Sequence, residues 1–212
     1  MEQSRPVSYT HLDVYKRQVR GHSRRVAGYT EILYGWALEA GVYPKDESLR
    51  RGLRHKIHTL ALWHDIGKLL VPLKILEKPG ALTAGERQAM NRHVLYAKEL
   101  YREGHWPVGV GEEERKAALD ISCLHHERWD GGGYPYGRKG EATPAIARIC
   151  AVADAFDAII SLRPYKKERS ATEAVAEIGR KAGTQFDPVV AQIFTARIRM
   201  LAKSEGTALT RI

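Results

Sequence analysis

Cysteine is nearly absent from this sequence. Only Cys123 and Cys150 occur in 212 residues, each inside an apolar helical pattern and neither in a Cys-x-x-Cys pair. That argues against a zinc knuckle and for two buried, reduced thiols, which fits a reducing cytoplasm. Long apolar runs are missing too. None approaches the roughly 18–20 residues of a membrane span, and no signal peptide is visible. The longest, "ARICAVADAFDAIISL", is interrupted by carboxylates. Strand alternation, internal repeats and linkers are likewise missing, so one soluble domain is expected. A basic stripe interleaved with aromatics is absent as well. The formal charge of +9 is spread along the chain, with one local cluster at "LRRGLRHK". This reads as a solvated surface favouring small anionic ligands, with no polynucleotide groove.

What the sequence has is helical periodicity. Its spacing predicts helices over 19–41, 48–66, 84–103, 112–127, 144–162, 171–182 and 188–203. In the first, Val26, Tyr29, Leu33 and Trp36 share a face, with His22 one turn earlier. Thr83 with Glu86, and Ser170 with Glu173, form capping-box pairs. Thr143 reads as an N-cap ahead of Pro144, and Asp187 as one ahead of Pro188. "EKPGAL" and "DGGGYPYG" are turn-rich loops. The expected architecture is all-α, about seven helices.

Nine histidines are present, and their placement carries the chemistry. His64 ends a helix whose apolar positions Leu53, Ile57 and Leu60 lead to it, and Asp65 stands beside it. His93 lies mid-helix, His125 and His126 precede the glycine loop, and Asp154 follows Ile146 and Cys150 at four-residue steps. One histidine on an apolar face is ordinarily a hydrogen-bonded core residue. A carboxylate among alanines and isoleucines is costly unless it is paired or binds metal. Together these residues point to a mixed imidazole and carboxylate metal site too rich in ligands for one tetrahedral ion. Two ions bridged by a carboxylate can clamp the oxygens of a phosphodiester during in-line attack. His55 and His58 lie among Arg and Lys without carboxylates, and His105 sits in a loop; none is a candidate ligand.

"HSRRVAGY", "ALWHDIGKLLVPLKILEKPGALT", "MNRH", "HHERWDGGGYP", "ARICAVADAFDAIISLRPYKK" and "GTQFDP" occur in this order. The set resembles the HD-GYP family, a branch of the HD-domain phosphohydrolases, from about Arg20 to about Thr195. The resemblance implies a single HD-domain helical bundle around a multinuclear metal site. It implies hydrolysis of cyclic di-GMP in bacterial second-messenger signalling, with either pGpG or GMP as the stopping point, and with two or three divalent ions, iron or manganese first. Carried over residue by residue, His22, His64, Asp65 and Asp154 match the general metal ligands, with Asp65 as the bridge. His93, His125 and His126 match the ligands of the second ion. Lys68 matches a lysine facing substrate phosphate. Tyr134, Arg163 and Lys166 match positions that hold the dinucleotide. Trp129 and Asp130 are expected to shape the loop and orient the paired histidines, and Trp63 to adjust packing beside the metal. Between His22 and His64 the chain exceeds the usual family spacing, the surplus falling around "GVYPKDESLRRGLRHK". Two other readings stay open: an HD hydrolase of another phosphate ester or cyclic dinucleotide, and a cyclic di-GMP-responsive interaction module with little turnover.

Val7 to Gln18 reads differently. It back-translates to a nucleotide sequence that is self-complementary over nearly its whole length, resembling two joined copies of a transposon end. Residues 1–18 are therefore expected to be a non-native leader, 19–203 the HD-GYP domain and 204–212 a tail. Gln18 then stands where some family members carry a glutamate that binds a third metal. An upstream receiver, PAS or GAF module would have preceded the domain, and a homodimer is compatible with it.

Overall fold

The computed structural model describes residues 9–46, 48, 51–102, 110–161 and 170–204. Its helices are α1 (Tyr9–Glu39), α2 (Ile57–Leu62), α3 (Leu73–Leu76), α4 (Ala84–Asn91), α5 (His93–Leu100), α6 (Glu112–Leu124), α7 (Ala145–Ile160), α8 (Ala171–Arg180) and α9 (Pro188–Ser204). Tight 3-10 turns add Arg51–Leu53, Ile66–Leu70 and Gly140–Ala142. No strand occurs among the described residues, only isolated bridges between Asp130 and Lys139 and between Ala182 and Phe186. The fold is all-α, as expected. No described helix is long and apolar enough to cross a membrane.

Helix α1 packs against α2 and α7. It buries Val26, Leu33, Tyr34 and Ala37, while Tyr29 and Trp36 flank them half-buried. Each fully buried aliphatic side chain contributes roughly 1.5–3 kcal/mol. Helix α7 is apolar on most of its circumference, which places it at the centre. Ile146, Ile149, Val152, Ala153 and Phe156 are all fully buried, and the Phe156 ring meets Tyr29 at 5.1 Å and Phe194 at 5.0 Å, both edge to face.

Two predicted helices are broken, and both breaks lie beside candidate ligands. The stretch 48–66 is a 3-10 turn, then α2, then a second 3-10 turn that begins just after Asp65. The stretch 84–103 divides at Arg92, so that His93 begins α5. Periodicity reports which face is buried and is blind to such tightened turns. Helix α1 begins at Tyr9, well ahead of the expected start at Val19. No proline or glycine interrupts Tyr9 to Arg20, and an existing helix extends at little cost per residue.

Both capping boxes form, Thr83 with Glu86 and Ser170 with Glu173. Asp187 accepts from the amides of Val189 (2.8 Å) and Val190 (3.2 Å). Thr143 does not cap α7. Pro144 itself occupies the cap position, which leaves Thr143 one residue too early. The first amides of α7 are satisfied from far along the chain: Ala145 N–H donates to Asp46 Oδ2 (2.7 Å) and Ile146 N–H to Ser48 Oγ (3.0 Å). Arg148 ties this cap to Asp187, and the Tyr43 hydroxyl donates to Asp187 at 2.6 Å.

Candidate metal centre

Seven predicted ligands come from five places. His22 comes from α1, His64 and Asp65 from the turn after α2, His93 from the start of α5, His125 and His126 from the end of α6, and Asp154 from α7. Most sit at helix ends or breaks, where neighbouring side chains can aim at a common point. Two groups of ligand atoms form, each within 4.8 Å: His22, His64 and Asp65 in one, and Asp65, His93, His125 and His126 in the other. Asp65 is common to both. Its Oδ2 lies 3.3 Å from His64 Nε2 and 3.9 Å from His22 Nε2. Its Oδ1 lies 3.3 Å from His93 Nε2 and 3.9 Å from His125 Nε2. Asp154 falls outside the tight groups but reaches His22 Nε2 with Oδ1 at 3.2 Å.

The remaining ring nitrogens fix the tautomers. Nδ1 of His64 donates to the Ala61 carbonyl (3.0 Å), that of His93 to Met90 (2.8 Å) and that of His125 to Ile121 (2.9 Å). A carbonyl can only accept, so Nδ1 carries the proton and Nε2 presents a lone pair. Nε2 of all three, with Asp65 Oδ1, is buried without a hydrogen-bond partner. Four such atoms converging at one place would be costly in a purely structural core. Neutral imidazoles and a shared carboxylate form a donor set that fits divalent metal ions.

The electrostatics agree. Burial lowers the pKa of His93, of His125 and of His126, the last to about 4, which keeps all three neutral. Burial disfavours charge on Asp65 as well, but Lys68, His64 and His93 outweigh it and hold the carboxyl well below the usual range. His22 is the exception. Burial would lower its pKa, yet Asp154 and Asp157 prevail and raise it to about 9.

Lys68 lies on the 3-10 turn, partly exposed, with Nζ 2.5 Å from Asp65 Oδ2. Tyr134 stacks on His126, the rings 4.8 Å apart and inclined by 29°. Arg163 and Lys166 lie outside the described residues, as does His105. His55 is exposed, and His58 pairs with Glu31 at 3.1 Å. Trp63 does not pack beside the metal ligands. It is 41% exposed and faces a surface cavity of about 400 Å³ shared with Leu60, Ile66, Leu100, Tyr101 and Ala118. Trp129 and Asp130 shape the loop by anchoring it to another segment: their amides donate to the carbonyls of Gln185 and Thr184 in "GTQFDP".

Sequence reasoning missed two carboxylates. Glu127, buried directly after the paired histidines, accepts from the amides of Tyr136 (2.8 Å) and Arg138 (2.9 Å) and so folds the loop that carries Tyr134. Gly133 lets that loop close. A β-carbon there would stand 2.6 Å from the His126 carbonyl oxygen. Asp157, one turn after Asp154, accepts from His22 Nδ1 at 2.7 Å. The visible signal was a second carboxylate three residues on, in "ADAFDA", on the same side of an apolar helix.

Comparison with known proteins follows the same lines. The profile of the HD domain family matches residues 13–190. A protein of Vibrio cholerae named as a probable cyclic di-GMP phosphodiesterase is 43% identical over 131 residues, covering 62% of this chain and 30% of its own. A second V. cholerae protein, named 3′3′-cGAMP-specific phosphodiesterase 3, is 34% identical over 179 residues, covering 84% of this chain and 35% of its own. The chain thus spans about a third of the length of these relatives. Among solved structures, Bd1817, an HDG"Y"P protein from Bdellovibrio bacteriovorus, superposes with a TM-score of 0.54 at 16% identity, over 86% of this chain and 53% of that one.

Proposed function

We propose that this chain, which belongs to the HD domain family in its HD-GYP branch, is a metal-dependent phosphodiesterase that opens cyclic di-GMP, with pGpG or GMP as the final product. The observation that carries this reading is the division of the Asp65 carboxylate, one oxygen toward His22 and His64 and the other toward His93 and His125. Asp65 would bridge two divalent ions, with His22, His64 and Asp154 completing one site and His93, His125 and His126 the other. When bound, the ions supply an acidified water for attack on phosphorus and positive charge for the phosphoryl oxygens. Imidazole and carboxylate donors without thiolate suit iron or manganese. A third ion would call for a carboxylate at position 18, where this sequence has glutamine.

The chain's own groups do the rest. Lys68 sets a cation beside the bridging carboxylate, where charge grows on the phosphoryl oxygens and the leaving oxygen needs a proton. Tyr134, held by its stack on His126, offers an aromatic face to a guanine. Arg163 and Lys166 neutralise substrate phosphate. The domain occupies 19–203, and regulation is assigned to an upstream receiver, PAS or GAF module.

The test is turnover of cyclic di-GMP by anaerobically purified, manganese- or iron-loaded protein, with metal counted on the same sample. pGpG or GMP is expected. Two bound ions with no product from any cyclic dinucleotide would overturn the reading. The second V. cholerae relative supports one alternative substrate, 3′3′-cGAMP, and a side-by-side assay separates the two.

A further inference from the structure

We infer that Asp157 is a positioning residue for the metal centre, holding His22 in the tautomer that offers Nε2 to metal, with Arg25 bracing both of its oxygens. The inference rests on the reading of His22 as a ligand.

Asp157 does not face the centre itself. Its side chain is 1% exposed, and both oxygens are occupied. Oδ2 accepts from His22 Nδ1 at 2.7 Å, from Arg25 Nη2 at 3.1 Å and from the Ser161 hydroxyl at 3.2 Å. Oδ1 accepts from Arg25 Nε at 2.5 Å. Arg25 Nη2 also donates to Ser161 Oγ at 3.0 Å. His64, His93 and His125 take their orienting bond from a carbonyl of their own local helix or turn. His22 has no such bond in α1. Its Nδ1 partner comes instead from another helix, 135 residues away. The link joins α1 to α7 at the level of the centre, one turn from Asp154.

Arg25 braces the carboxylate on both sides. Its guanidinium can only donate, and it donates to Oδ1 through Nε and to Oδ2 through Nη2. In Asp157→Asn one of these two contacts is lost whichever way the amide lies. With its oxygen in the place of Oδ2, the amide still accepts from His22 Nδ1, Arg25 Nη2 and Ser161, against a single donor at Oδ1. Asp157→Asn therefore keeps an acceptor for Nδ1, whereas Asp157→Ala removes it and leaves His22 free to carry its proton on Nε2.

The experiment is Mn²⁺ titration of the wild type and of Asp157→Ala, Asp157→Asn and His22→Ala, with bound ions counted. Asp157→Ala is expected to weaken one of two ions by about 10–100-fold and spare the other. Asp157→Asn, which keeps an acceptor for Nδ1, should bind that ion at least about threefold more tightly than Asp157→Ala. Wild-type binding by Asp157→Ala, or an Asp157→Asn variant as weak as Asp157→Ala, overturns the inference. Retention of both ions by His22→Ala would instead overturn the ligand reading beneath it. A measurement on the unmutated chain needs no variant to fold: in Zn²⁺-loaded protein, ¹⁵N shifts of His22 should show a protonated Nδ1 and a metal-bound Nε2. An unprotonated Nδ1 overturns the inference.

Discussion

A β-carbon on Gly67 would stand 1.8 Å from the carbonyl oxygen of His93. The 3-10 turn after Asp65 and the start of α5 therefore touch backbone to backbone, and that contact sets Asp65 and His93 3.3 Å apart. No side chain larger than hydrogen fits without separating two ligands.

Gly67→Ala is accordingly expected to destabilise the fold by about 3 kcal/mol or more, because the obstruction is backbone that cannot swing away. Urea unfolding measures this, and Mn²⁺ affinity should fall in whatever fraction still folds. Gly85→Ala in exposed α4, with nothing within 4 Å of the added carbon, is the control. It should be neutral or stabilising by up to about 1 kcal/mol.

Metal stoichiometry separates the bridge from an end ligand. Asp65→Ala should lose both ions, since it alone belongs to both ligand groups. His93→Ala should keep one. Metal analysis after exhaustive dialysis reads the difference directly, and equal losses from the two variants would contradict a shared carboxylate.

Much of this centre was legible because metal ligation leaves a mark on sequence: His64, Asp65 and Asp154 are polar residues at positions an apolar pattern reserves for the core. The groups that orient the ligands leave less. Asp157 looks like one more charge in α7 until His22 is seen against it, and Glu127 acts on backbone amides, which carry no sequence signal. The helix breaks at Arg92 and after Leu62 were hidden for a related reason. Burial periodicity runs straight through a 3-10 turn. Thr143 failed as a cap because Pro144 takes the cap position, and the Ala145 amide then finds Asp46, from a loop 99 residues away; no local rule can anticipate that long-range partner.

The Asp46 cap predicts a pH dependence of stability. Burial disfavours its charge, but the Ser48 hydroxyl, the amides of Ala145 and Ser48, and Arg148 outweigh that and lower its pKa below the ordinary value. A carboxyl whose pKa is depressed on folding stabilises above its unfolded value, about 3.9, and loses that contribution as pH falls through the folded value. Asp46→Ala should cost about 1–2 kcal/mol at pH 7. The gap from wild type should narrow steadily below about pH 4, as measured by denaturant midpoints across that range.

Tyr134→Ala should raise KM for cyclic di-GMP about tenfold, in line with the roughly 1–3 kcal/mol carried by one stacked base. The metal count should not change. Tyr134→Phe, which keeps the aromatic face, should stay within about threefold of wild type. A fall in kcat alone, with KM unmoved, would remove Tyr134 from substrate binding.

The stretch between α1 and α2 supplies no candidate metal ligand, yet Tyr43, Asp46 and Ser48 lie in it. From there they clamp the first turn of α7, the helix that carries Asp154 and Asp157. A loop without a ligand is here a keystone. Shortening it would leave every candidate ligand in place on paper while loosening the arch that holds one of them. Metal retention at this centre is then expected to depend on a segment that contributes no ligand.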